Sequence, residues 1–538
     1  MSIVILGLIA ILTCPQGISE CTSPAGNPFP IHMQVIGRHA TGVWDKSAAE
    51  IAAWHAASKR LLVVDATVGL RVLDLSDPSA PRQVQSHAAA GATSVAVHGD
   101  LVALVRQPAS KSERGTLELL TPDLQPIATC TVGHGPDMVC FTPCGTRLLI
   151  ANEGEGEPDG SFDPDGSIGV VDISAGADRP VYRQLGFEAF EPQRAQLTER
   201  GLHCVVPGAT LAQDLEPEYI AVAPDGSRAF ATLQENNAIA VIDLAPGRER
   251  VERIEPLGFK DFANTGGLDA SDRDGGPAIK PWPVLGLYQP DTVKCFEHGG
   301  SLWLATANEG EERERGDVQE PRRLSELKHA LGKEISAKDA AGRLQVSGLR
   351  GDQDGDGVFE RLYCFGGRSV SLWKVAADGS IVQAWDSGSQ IERMVQEIMP
   401  QAFNMDSTPG PSADSRSDNR GPEPEGLDVG MVGDRRLLFV GLERTGGVMA
   451  WDITVPERPT WAGWINPRDP AAMPTEDRDG DGTPDGPFAA GDVAPEGVLL
   501  IPALESPDGS PLLVVCNEVS GTTTLIRVRP ATDPPAKK

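Results

Sequence analysis

A chain of 538 residues exceeds what one compact core accommodates, so several domains or a repeated unit are expected. Hydrophobic residues make up 40% of it but aromatic ones only 5%, with 59 Gly and 44 Pro, a composition suited to many short strands and tight turns. The 47 Lys and Arg against 76 Asp and Glu leave a formal net charge of -29, which excludes nucleic acid as a partner over most of the surface and favours divalent cations.

The first element is the apolar run inside "MSIVILGLIAILTCPQGISEC". It is too short for a bilayer span, which needs about 20 residues, and reads as a signal peptide over residues 1–19, with Gly17 and Ser19 as small residues for cleavage. A secreted protein, extracellular or periplasmic, is expected. Cys14 and Cys21 make lipid anchoring the lesser alternative, because Thr13 and Glu20 sit poorly ahead of a lipidated cysteine. No later stretch reads as a membrane span, and no CxxC pair points to zinc.

Next comes the strand Met33 to His39, "MQVIGRH", with no partner near it in sequence. From residue 50 a unit then recurs: a Pro-acid pair, a strand, a Pro-x-Gly turn, a second strand and Asn-Glu. Two copies are weak: "SAAEIAAWHAASKRLLVVDATVGLRVLDL" has Glu50 before its first strand and Asp65 after its second, and "GATSVAVHGDLVALVRQ" has Ser94 and Arg106 instead of acids. The full copies carry Asp137 with Glu153, Glu218 with Glu235, Asp291 with Glu309, Glu425 with Glu443, and Glu496 with Glu518. The first two intervals between anchors, 44 and 43 residues, equal the repeat of one four-stranded propeller blade.

Seven anchors predict an all-β, seven-bladed β-propeller over residues 31–530. Pairing Met33–His39 with the final "TTTLIRVRP" in one blade would close the ring and remove an exposed edge. Residues 177–216, 255–289, 310–422 and 466–494 are too long for ordinary turns and read as insertions. The largest holds two helical patterns, "LSELKHALGKEIS" and "SQIERMVQEIM", which would cap one face. Residues 531–538 read as a disordered polar tail, and a monomer is expected.

Antiparallel neighbours lie about 4.8 Å apart, so the acid opening one strand and the acid ending the next would meet at the channel mouth. Like charges at that spacing resist ionisation unless a cation, an arginine or protonation intervenes. With only 9 His in the chain, oxygen ligands and calcium are expected over zinc. Arg368, Arg416, Arg420 and Arg444 would pair with the ring or bind an anionic ligand. The competing reading makes each acid a polar residue that bonds a neighbouring turn.

Two loops carry a sharper cation signal. Asp352, Asp354 and Asp356 precede Gly357, and Asp477, Asp479 and Asp481 precede Gly482, as in the front half of an EF-hand. Tyr363 and Phe488 occupy position twelve, which excludes a complete EF-hand and leaves a shorter calcium loop. Asp269, Asp272 and Asp274 form a looser version.

The chain lacks GxSxG, HExxH and GxxxxGK[ST] motifs, so covalent hydrolase or P-loop chemistry has little support. The expectation is an exported, calcium-binding propeller that acts as a ligand-binding module for a small anionic or surface ligand. Its rival is a metal-dependent phosphoesterase, alkaline phosphatase- or phytase-like, on the same face. The phrases "HGPDMVCFTP", "LLIANEGEGEPDG", "LEPEYIAVAPDGSRAFATLQENNAIAVIDL", "SRSDNRGPEPEG", "GLERTGGVMAWDI" and "CNEVSGTTTL" together resemble the choice-of-anchor I family over roughly residues 33–529. The resemblance implies an exported, propeller-like domain and supplies no catalytic residues to carry over. Cys144 and Cys516 depart from the family pattern outside the acid positions.

Overall fold

The computed structural model describes residues 31–531 except 158, 316–317 and 476–484. The expected signal peptide, nearly all of the tail, and Asp477, Asp479 and Asp481 lie outside the described residues. Seven four-stranded sheets dominate. Their first strands are Ala52–His55, Ala92–His98, Pro136–Phe141, Pro217–Val222, Val293–His298, Pro424–Val432 and Pro495–Ile501. Each first strand lies beside the first strand of the next sheet, and that of the seventh sheet lies beside that of the first. The architecture is all-β and of β-propeller type.

Local sequence explains the layering. The second strands, such as Arg60–Asp65 "RLLVVD" and Arg147–Asn152 "RLLIAN", are apolar on both faces because both are covered by neighbouring sheets. Outermost strands such as Arg82–Ala88 "RQVQSHA" face water and are polar. Every consecutive pair of sheets shares one apolar cluster: first with second, second with third, third with fourth, fourth with fifth, fifth with sixth, sixth with seventh, and seventh with first. Each fully buried Leu, Ile or Val in these layers contributes about 1.5–3 kcal/mol.

The early strand Ile31–Ala40 pairs antiparallel with Thr522–Pro530, the last strand of the seventh sheet, with Met33 opposite Val528 and His39 opposite Thr523. The first and last described strands thus share a sheet, as the unpaired "MQVIGRH" predicts.

Three segments differ from the sequence reading. Residues 310–422 are not wholly an insertion, since Ser369–Val375 and Ile381–Asp386 are the third and fourth strands of the fifth sheet. Likewise Val181–Leu185, inside 177–216, completes the third sheet. Of the two expected helices, Gln390–Ile398 forms, whereas "LSELKHALGKEIS" yields only two short 3-10 turns, Leu324–Glu326 and Glu334–Ser336. Gly332, in the left-handed region at φ +93°, ends any helix there.

Parts of 255–289 and 310–422 build an additional five-stranded sheet from Phe259–Asp261, Leu285–Leu287, Pro321–Arg323, Gln345–Ser347 and Tyr363–Cys364, with its own apolar cluster. Among the described residues, no helix is long and apolar enough to cross a membrane.

Candidate functional site

The Pro-acid pair has a backbone cause. In the third, fourth, sixth and seventh sheets the proline is paired with the end of the second strand, Pro136 with Asn152, Pro217 with Leu233, Pro424 with Leu442 and Pro495 with Asn517, and the register slips immediately afterwards. Each following acid, Asp137, Glu218, Glu425 or Glu496, therefore sits in a β-bulge, which re-aims its side chain. The partner acids are locked to the same place. The amides of Glu153, Glu443 and Glu518 donate to the carbonyls of Gly135, Glu423 and Ala494, at 2.8, 2.8 and 2.9 Å. Those three acceptors all precede the proline and lie in the left-handed region, at φ +54°, +51° and +61°.

Most of these acids meet around a cavity of about 600 Å³, though Asp137 and Glu50, expected in the same ring, are not among its lining residues. Its wall holds Glu153, Glu218, Glu235, Asp291, Glu309, Glu425, Glu443, Glu496 and Glu518 from the recurrent positions, together with Glu155, Glu216, Glu311, Glu312, Arg313, Arg420 and Arg444. Thirteen carboxylates thus face three guanidiniums. The carboxylate oxygens of Glu309, Glu425 and Glu443 lie within 4.8 Å of one another, the spacing of ligands around one metal ion. Glu425 Oε2 is buried with no hydrogen-bond partner.

Burial first, and neighbouring carboxylates second, raise several of these acids far above their ordinary range. Glu153, Glu218, Glu425 and Glu496 are all raised well above it in this way. Burial and the Glu423 carboxylate push Glu443 up to about 8, against the pull of Arg444. Burial and the Asp291 charge push Asp137 up to about 7, and burial and the Glu518 charge push Glu50 up to about 8. Glu423 is the exception. Burial would raise it, but Arg420, Arg416 and Arg444 outweigh burial and hold it at about 2.

The arginines are engaged. Arg420 donates to Glu309 Oε1 at 3.1 Å and to Glu311, and lies 3.2 Å from Glu423 Oε2. Arg444 reaches Glu423 Oε2 at 3.2 Å and Glu443 Oε1 at 3.0 Å. Arg416 donates to Glu423 Oε1 at 2.6 and 3.0 Å, behind the wall. Arg313 meets Glu216 and donates to the Asp214 carbonyl at 3.0 Å.

Several expected site residues lie elsewhere. Arg368 is 1% exposed and ties loops together through the Asp269 and Ser417 carbonyls and Glu392. Asp65 accepts from the Thr67 amide at 2.8 Å and pairs with Arg71, closing its own turn. Asp272 is held by Arg343 at 2.8 Å, Asp274 lies 3.8 Å from Lys280, and buried Asp269 accepts from the Ser271 and Ala278 amides, so these three are tied to different partners. Asp352, Asp354 and Asp356 do converge, with Glu360 as a fourth carboxylate, on an exposed loop. Sequence reading omitted Glu216, Glu311, Glu312, Arg313, Glu360 and Glu423; Glu216 and Glu423 both stand just before the proline of a Pro-acid pair, a shared place that could have flagged them, while the others carry no such mark. The Gln353 amide bond to Glu360 Oε2, 2.8 Å, shows how Glu360 folds back onto the loop.

Fold and cavity together define a β-propeller-type protein with an acid-lined face. The chain belongs to the choice-of-anchor I domain family, whose profile matches residues 50–456. It is similar to the mesenchyme-specific cell surface glycoprotein of Strongylocentrotus purpuratus, 30% identical over 308 residues that make up 51% of this chain and 38% of that protein. It is also similar to Gigasin-3a of Magallana gigas, 29% identical over 218 residues, 40% of this chain and 70% of that one. The chain therefore spans well under half the length of the first of these relatives. Among solved structures, hydrazine synthase of Kuenenia stuttgartiensis is 13% identical with a TM-score of 0.47, covering 91% of this chain and 99% of that one.

Proposed function

We propose that the protein is an exported, surface-associated module whose seven sheets are the blades of a closed seven-bladed propeller, and whose acid-lined cavity binds calcium. The seven shared apolar clusters and the pairing of the two chain ends support the closed ring. Similarity to a protein named as a cell surface glycoprotein supports the location.

The convergence of Glu309, Glu425 and Glu443 carries the metal reading. Two buried carboxylates and a partly buried third whose oxygens approach this closely repel one another; Arg420 and Arg444 offset Glu309 and Glu443, neither of those contacts reaches Glu425, and oxygen-only ligation suits a hard divalent ion. Arg416, Arg420 and Arg444 are already paired, so an anionic group of a surface ligand would reach the site by coordinating the bound calcium. The Asp352, Asp354, Asp356 and Glu360 loop is a second, exposed calcium locus in this reading.

The test is calorimetric titration of calcium into dialysed, chelator-treated protein, with release of phosphate from a generic phosphomonoester followed in parallel. Tight calcium uptake that Glu425→Gln weakens by about tenfold or more supports the reading, since one charged ligand is lost. Unchanged uptake in that variant would remove the site. Calcium-dependent phosphate release would replace the binding module with the phosphoesterase.

A further inference from the structure

We propose that a second part of the same cavity, walled by Glu153, Glu216, Glu218 and Glu235, receives an organic cation, a primary ammonium or a guanidinium group. The inference rests on reading the cavity as a cation site and adds an occupant of different chemistry.

Unsatisfied oxygens mark the place. Glu216 is only 1% exposed; its Oε2 meets Arg313, but its Oε1 has no hydrogen-bond partner. Oε2 of Glu218 and Oε2 of Glu235 are also buried without a donor. Burying a carboxylate oxygen without a donor is unfavourable, so these three oxygens call for N–H groups or a metal.

Geometry separates the two. Among the described residues, no trio of these four acids brings its oxygens within 4.8 Å of one another, as Glu309, Glu425 and Glu443 do. A bare ion needs such convergence, whereas ammonium and guanidinium groups spread their donors over a wider arc. Arg313 already demonstrates the fit from inside the chain. Its guanidinium contacts Glu216 and stands 3.9 Å from both Glu235 Oε1 and Asp214 Oδ1.

Room and access agree with this. A cavity of about 600 Å³ far exceeds one ion. Its buried floor gives way to a rim at which the Glu155 and Glu311 side chains are 51% and 37% exposed, each already paired with a cation of the chain, Lys111 and Arg420, so the unmatched negative charge lies deeper, at Glu216, Glu218 and Glu235.

The experiment titrates the full chain, in calcium-containing buffer, with spermidine and separately with a blocked arginine-containing peptide, comparing wild type with the Glu218→Gln/Glu235→Gln double variant. Binding of either probe, weakened by about tenfold or more in the double variant while calcium uptake and Tm hold, supports the proposal; the probe that binds tells a free polyamine from a basic residue of a polypeptide. Calcium binding with no heat from either probe overturns it and leaves the proposed function standing. Equal probe affinity in the double variant also overturns it, as does loss of calcium together with the probe. Uptake of neither cation by wild type defeats the underlying cation-site reading itself. If the double variant melts early, Glu235→Gln alone serves, its affinity read against its own Tm.

Discussion

Raising the pH without divalent cations should destabilise this protein, contrary to the behaviour of a domain held by surface ion pairs. Burial and neighbouring charges push Glu50 and Glu443 to about 8 and Asp137 to about 7. In the unfolded chain such groups return to about 4. The folded state therefore holds more protons than the unfolded one from about pH 4.5 to 8, and stability is full below that window and lost as pH rises through it. Each proton so retained is about 1.4 kcal/mol per pH unit. Neighbouring buried acids share protons, so counting two of them gives about 2.7 kcal/mol per unit. Glu423 and Asp74, held at about 2, lose their contributions only below pH 4.5 and leave this window flat. His39, lowered by burial and Arg71, opposes the trend by at most one proton below about pH 6.5. Urea melts at pH 5.5, 6.5 and 7.5 in EDTA measure the slope. A flat or rising profile would refute the buried, proton-holding acids; saturating calcium should flatten the fall.

Arg420→Met should cost about 3–5 kcal/mol at neutral pH, because it removes the charge partner of Glu309 and Glu311 and one of the three arginines on Glu423, and adding Glu309→Gln should restore part of the loss in Tm. Gly426→Ala would place a Cβ 1.7 Å from the Glu496 carbonyl oxygen, forcing the first strands of the sixth and seventh sheets apart. Chemical denaturation should show a loss of about 1–3 kcal/mol, whereas an unaffected variant would mean that these strands do not pack so closely. Asp354→Asn should shrink the calcium-induced rise in Tm while Glu425→Gln still leaves the loop its own share; scanning calorimetry at two calcium concentrations separates them.

What was legible in the sequence is what repeats. Pro-acid followed by a strand, a turn and Asn-Glu marks five sheets because one backbone arrangement, proline at the register slip and an amide locked across it, recurs in most of them. The strand "MQVIGRH" was legible as an orphan needing the chain's other end. Insertions were not, since nothing periodic marks them. Ser369–Val375 and Ile381–Asp386 stand 60 residues after the second strand of their sheet ends at Asn308, so they read as insertion despite alternating apolar residues. Arg313 and Glu216 find each other across 97 positions. Arg368 shows the converse difficulty: an arginine near the acids in sequence is spent on buried carbonyls in space.

The structural reading of the recurring polar position is realised in the first two sheets. In the second sheet Ser94 takes the anchor place and accepts the Val139 amide at 3.3 Å, while Arg106 pairs with Glu118 at 2.7 Å, so bonding a neighbouring element needs no acid there. Asp65 in the first sheet likewise serves its own turn. Sheets three to seven place carboxylates at both positions and direct most of them into one cavity, where burial and mutual repulsion oppose ionisation. Since a serine suffices for the structural task, the acids of those five sheets destabilise the empty fold for some other return. A cation held among them, as proposed, would offset that repulsion and burial, which is why the expected loss of stability with pH and its expected reversal by calcium test one and the same proposal.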